Sequence, residues 1–200
     1  MRKTFRAMAA LGAACAVLAG PAAHADKLEN IPLEWKPTSP LSERAPVDVK
    51  GLEGIRIQVE PFTDKREDRE LIGRNVNKAP IRKVTTNEDV PRFVTYHTKS
   101  LLSAMGLNIV ESGGDYLVKG EVKKYFAEEA SRYNASVELR ISLTTPDGKV
   151  LWVVETEGTS SRYGIGYKRD NYYEVLSDAL IGAVHEVVRN QNFRKALTAK

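Results

Sequence analysis

From Asn134 to Thr145 the side chains alternate without a break. Ala135, Val137, Leu139, Ile141 and Leu143 fall on one side, and Ser136, Glu138, Arg140, Ser142 and Thr144 on the other. Successive side chains of a strand point to opposite faces, so this run predicts a long strand with one buried and one wet face. A sheet built around it is covered on one side only, as antiparallel sheets commonly are. Pro146-Asp147-Gly148 supplies a turn, since proline presets φ and glycine accepts positive φ. A strand from Val150 to about Thr156 then completes a hairpin.

The remaining elements fit around that hairpin. Ile55, Ile57 and Val59 alternate with polar residues and end at Pro61, which reads as a strand. The charged run Thr63–Glu70 and the polar stretch through Gly73, Asn75 and Asn77 to Pro80 read as loop, with Val84 in a short extra strand. Asn87 or Asp89 caps a helix with Pro91 in its first turn; Phe93, Tyr96, Leu101 and Met105 share its face, and Gly106 stops it. Short and long strands follow at Leu107–Val110 and Tyr116–Phe126. Asp170 or Asn171 caps a last helix whose apolar stripe runs from Leu176 to Val188, with Phe193 and Leu197 packing a final turn. The order β-α-β-β-β-β-α predicts one α+β domain over residues 54–200. Its antiparallel or mixed sheet has about five strands, with two main helices packed on one face.

Ahead of this domain, Arg2, Lys3 and Arg6 precede the apolar run Ala7–Gly20, and Ala23-His24-Ala25 stands before Asp26. That is the layout of a cleaved secretory signal peptide over residues 1–25, and the apolar run is shorter than the roughly 20 residues of a membrane span. It predicts an exported, periplasmic protein. The alternative is an outer-membrane lipoprotein acylated at Cys15, which would anchor it to a membrane. Gly12 stands where such a site wants leucine, and apolar residues continue past Cys15. Residues 26–53, with Pro32, Pro37, Pro40 and Pro46, read as an extended linker that Trp35 could pin to the domain.

Cleavage removes the only cysteine and three of the four net positive charges. No disulfide, thiolate nucleophile or cysteine metal ligand remains. No basic stripe of the kind nucleic-acid binding needs survives processing. Chemistry is otherwise sparse. His185-Glu186 opens a zinc-helix pattern, but Arg189 occupies the place of its second histidine; His97 and His185 read as structural or solvated. Gly164-x-Gly166 lacks the third glycine of a phosphate loop, and there is no G-x-S-x-G elbow. The acids Glu60, Asp64, Glu67, Asp68 and Glu70 are interleaved with Lys65, Arg66 and Arg69, which reads as a solvated charged loop. No catalytic residue, cofactor or metal site is expected. The tyrosines around Gly164, namely Tyr163, Tyr167, Tyr172 and Tyr173, are either interface anchors or packed against the sheet.

The strand and loop Ile55-Arg-Ile-Gln-Val-Glu-Pro-Phe-Thr-Asp64-Lys-Arg66, a helix ending in Met105-Gly106-Leu107, a sheet and a C-terminal helix together resemble the YajG family of bacterial envelope lipoproteins. More distantly, they resemble periplasmic auxiliary proteins of outer-membrane assembly and export. The resemblance covers about residues 54–197. It implies a non-enzymatic periplasmic α+β domain, with Asp64 and Arg66 on the family's D-x-R positions as an ion pair fixing the loop. The expected function is a binding or assembly module for an envelope protein or outer-membrane component, engaged through sheet edge, charged loop or tyrosine loop. Asp64, Arg66, Tyr163 and Tyr167 are the candidate interaction residues. The competing expectation is a periplasmic hydrolase whose triad has no local signature.

Overall fold

The alternating run folds as a central strand, β7 (Tyr133–Thr144), between β6 (Tyr116–Glu129) and β8 (Val150–Arg162), in a computed structural model that describes residues 27–38, 41–44, 46–77 and 79–198. Both neighbours pair with β7 antiparallel. The signal peptide, its cleavage point and Cys15 lie outside the described residues.

On its other side β6 pairs in parallel with three strands in succession. These are β1 (Arg56–Val59), β2 (Thr63–Asp64) and β3 (Leu71–Asn75). β4 (Arg82–Thr85) pairs antiparallel with β3, and β5 (Asn108–Val110) pairs parallel with β1. Among the described residues the result is one mixed sheet of eight strands, where about five were expected. The difference lies in the stretch read as loop. Leu71-Ile72-Gly73-Arg74-Asn75 has too few apolar residues to announce a strand, but β6 offers it a row of backbone partners and buries Ile72 and Asn75.

Among the described residues there are three α-helices, where two were expected: α1 (Val90–Ala104), α2 (Arg169–Arg189) and α3 (Gln191–Thr198). Asp89 caps α1, its Oδ1 accepting from the Arg92 N–H at 3.0 Å, with Pro91 in the first turn where a missing N–H costs nothing. Val90, Val94, Leu101 and Leu102 form its buried side, whereas Tyr96, expected there, is 65% exposed. α2 starts after Lys168 without a side-chain cap. Asp170 and Asn171, the expected caps, both sit inside the first turn, where the negative charge of Asp170 suits the helix dipole and pairs with Lys36 at 2.8 Å. Phe193 anchors α3 against Trp152 on β8, ring centroids 5.2 Å apart.

α1 and α2 lie on the apolar face of the sheet, which carries Val137, Leu139 and Ile141 of β7. α2 crosses β8 at Gly158. A Cβ on that residue would fall inside van der Waals contact of the Ala179 carbonyl oxygen and the Ala183 nitrogen, and 2.8 Å from the Gly182 carbonyl carbon. Only glycine admits the helix this close. The opposite face is polar, with ion pairs Arg74–Glu128 and Lys124–Glu138 between neighbouring strands.

The described residues of 26–53, read as an extended linker, are largely extended, apart from a 3-10 turn at Leu41–Glu43, and are docked on the domain. The Leu28 and Ile31 backbone bonds to Thr85 on β4. The Tyr173 hydroxyl donates to the Pro32 carbonyl at 2.7 Å. Further on, the Lys36 N–H donates to Ser177 Oγ and the Thr38 N–H to Asp178 Oδ1, both at 2.9 Å. Ser177 and Asp178 are polar yet buried in the middle of α2 because they satisfy this segment's backbone. A helix buried on nearly all sides needs a second cover, and the docked segment provides it.

Candidate functional site

The four candidate residues occupy two separate places. Asp64 ends β2, beside Val122 in the middle of β6, whereas the tyrosine loop follows β8 near the β6 end at Glu129. Seven residues of strand separate the two, on the order of 20 Å.

Asp64 and Arg66 form a two-pronged ion pair. Arg66 donates from Nε to Asp64 Oδ1 at 3.0 Å and from Nη2 to Oδ2 at 2.8 Å. The same Nη2 reaches the Arg69 carbonyl at 2.6 Å, and the Arg66 N–H returns to Asp64 Oδ1 at 3.1 Å. Burial raises the Asp64 pKa, but the Arg66 hydrogen bonds and charge outweigh it and hold the carboxyl below its usual range. The side chains are only 12% and 5% exposed. The pair locks the turn between β2 and β3 and presents little surface.

The tyrosine loop divides its members between anchors and display. Tyr133, the first residue of β7, donates its hydroxyl to the Gly166 carbonyl. Gly166 has φ of +81°, a conformation that glycine adopts without strain. Tyr167 is half-buried; its hydroxyl donates to the Lys83 carbonyl of β4 at 2.7 Å, and the Arg82 guanidinium lies over its ring at 5.4 Å. Its ring meets Tyr172 edge-on at 6.2 Å. Tyr172 and Tyr173 are wholly buried. Tyr172 donates to Glu129 Oε2 at 3.0 Å, and burial with the adjacent carboxylate raises its pKa, so it stays a donor. Tyr173 is likewise pushed up to about 12 by burial.

Between these fixed points Tyr163 and Ile165 point into solvent, 70% and 78% exposed. Ile81, 59% exposed, precedes the Arg82 that covers Tyr167. Ile165 and Ile81 escape sequence reasoning because a lone isoleucine carries no sign of exposure. The one available signal is that Ile165 sits between two glycines, where it has no neighbouring side chain to pack on.

His97 and His185 are both buried on helices. His97 stacks on Trp35, centroids 4.1 Å apart, with Phe93 at 4.4 Å, and burial lowers its pKa to about 4. Among the described residues no group of three or more His, Cys, Asp or Glu side chains is placed to hold a metal ion. No described helix is long and apolar enough to cross a membrane.

Fold and surface together define an α+β domain with one helical layer, one open sheet face and a rooted apolar loop. A solved protein of the DUF330 family from Xanthomonas campestris shares this fold: TM-score 0.52, 13% identity, covering 82% of this chain and 95% of that one. Lower overlaps are found with a minor lipoprotein from Acinetobacter baumannii (0.43, 8% identity, 70% and 94% covered). The PelC dodecamer from Paraburkholderia phytofirmans also overlaps in part (0.42, 16% identity, 68% and 88% covered). No family model and no curated protein matches the sequence.

Proposed function

We propose that this is an exported cell-envelope protein of YajG-like type that works by binding a protein partner rather than by catalysis. The supporting observation is the loop Tyr163–Tyr167, which shows Tyr163 and Ile165 to solvent while Gly166 and Tyr167 are tied to β7 and β4. Rigid aromatic and aliphatic anchors of this kind lose little entropy on binding, and each side chain buried contributes roughly 1.5–3 kcal/mol. The signal-peptide layout of residues 1–25 supports a periplasmic or outer-membrane-facing location. Asp64 and Arg66 serve the fold in this reading, and Tyr163 is the member of the candidate set that meets the partner.

In-cell photo-crosslinking tests it. A photoreactive residue at Tyr163 or Ile165 is expected to give a discrete adduct, while one at exposed Val150, at the opposite end of β8, gives none of the same size. Identical adduct patterns from all three positions, or none from the loop, would remove the reading.

A further inference from the structure

The edge of the sheet that leads into this loop is open. Among the described residues β8 pairs only with β7, and no other backbone hydrogen bond reaches Trp152–Arg162. Every second residue of such an edge turns its N–H and C=O away from its partner, so the strand offers a row of unmet backbone groups. Natural edges of this length are usually shortened, bulged or covered. The pairing of β8 is irregular only near its start, around Val150–Trp152, and it runs regularly from Trp152 to Arg162.

The side chains along the edge say what kind of strand fits it. Val153, Glu155 and Glu157 stand opposite Ser142, Arg140 and Glu138 on the open face. All three are exposed, and no cation lies within ion-pair distance of either glutamate among the described residues; Glu157 accepts one hydrogen bond, from Ser136 at 2.9 Å. A second copy paired antiparallel across Glu155 and Glu157 would set carboxylate against carboxylate, which destabilises cross-strand pairs. A strand with lysine or arginine at alternate positions would instead set cations beside both glutamates. Beyond Arg162 the same line of chain continues into Tyr163 and Ile165.

Building on the partner-binding reading, we infer that the partner presents an extended, basic segment that adds as a strand to the free edge of β8. Backbone hydrogen bonds supply the attachment, Glu155 and Glu157 select cations at alternate positions, and Tyr163 with Ile165 grips the residues beyond the strand end.

Synthetic peptides of about ten residues, matching a long natural strand, provide the probe. One alternates lysine with threonine, a second carries glutamate for lysine, and a third is the lysine peptide N-methylated at alternate residues. Amide hydrogen exchange of the mature chain is the readout. The lysine peptide is expected to slow exchange over Trp152–Arg162 by about tenfold or more, with no effect from the other two. Glu155→Lys with Glu157→Lys is expected to reverse the preference between the first two peptides. Equal protection by the N-methylated peptide would mean charge adhesion without pairing and would overturn the proposal. So would absence of protection at about 1 mM peptide, a concentration that reveals even weak binding. Protection of β8 that appears without peptide as the protein is concentrated would assign the edge to a second copy, also against the proposal. Loop crosslinks in cells without strand protection would sink strand addition and leave the partner-binding reading intact.

Discussion

Replacing Gly158 by alanine should be among the most damaging single-methyl changes in the molecule. The new Cβ would overlap the backbone of α2 at Ala179 and Ala183 and lie 2.8 Å from the Gly182 carbonyl carbon, whereas ordinary contact needs about 3.4 Å or more. All three obstacles are main-chain atoms, so no side chain can rotate away. The helix has to lift by about an ångström along a line where it buries Ala179, Leu180 and Ala183 against the sheet. Overpacking of a close-packed core costs typically 1–3 kcal/mol, and a rigid backbone obstacle places this case at about 3 kcal/mol. For a chain of this size that corresponds to a fall in Tm of about 6–12 °C. Gly54→Ala is the control, since nothing lies within 4 Å of its added Cβ and its φ is ordinary. It should be neutral or stabilise by up to about 1 kcal/mol. Chemical and thermal denaturation of the two variants decides the matter. A loss under about 0.5 kcal/mol for Gly158→Ala would refute the argument that this contact sets the helix–sheet spacing.

Three further outcomes follow from the geometry. Asp64→Ala or Arg66→Ala leaves a buried charge unpaired and should cost about 3–5 kcal/mol, while the double variant costs less than the sum of the two; a denaturant double-mutant cycle measures this. Tyr172→Phe removes the donor to buried Glu129 and should cost about 1–3 kcal/mol in the same assay. His97, depressed from 6.5 to about 4, contributes stability that is present above pH 6.5 and lost as pH falls toward 4. The full shift would be worth about 3 kcal/mol, and partial contact of the ring with solvent reduces it to roughly 1–2 kcal/mol. His97→Phe should flatten that part of the pH–stability curve relative to the parent, and an unchanged slope would count against it.

The parts of the fold legible in the sequence are those where one period dominates. β7, the first half of its hairpin partner, the capped start of α1 and the stripe of α2 all follow from side-chain spacing. β8 runs past the expected end at about Thr156 to Arg162 because β7 continues to pair with it. β3 was hidden because its strand character comes from β6 beside it, not from Leu71–Asn75 themselves. The strand expected to end at about Phe126 runs on to Glu129. The shift in register between Val122 and Lys124 hides its later face pattern by moving Tyr125 and Ala127 onto the side that alternation assigns to their neighbours. Ser177 and Asp178 carry no local sign of their role, which emerges only with the segment they hold, more than a hundred residues away in sequence. At the candidate surface the residue types around Gly164 single out a tyrosine-rich loop, and the structure divides its members. Which tyrosines are anchors and which are displayed depends on Tyr133 and Lys83, which no local pattern links to them.

The most direct test of the central claim separates surface from fold in one variant. Tyr163→Ser with Ile165→Ser should leave stability within about 0.5 kcal/mol, as expected for exposed side chains. In cells, a photoreactive residue at neighbouring Ile81 should form its partner adduct on the parent and lose it on the variant. An undiminished adduct at Ile81 in the stably folded variant would contradict the claim that this loop is where the protein does its work.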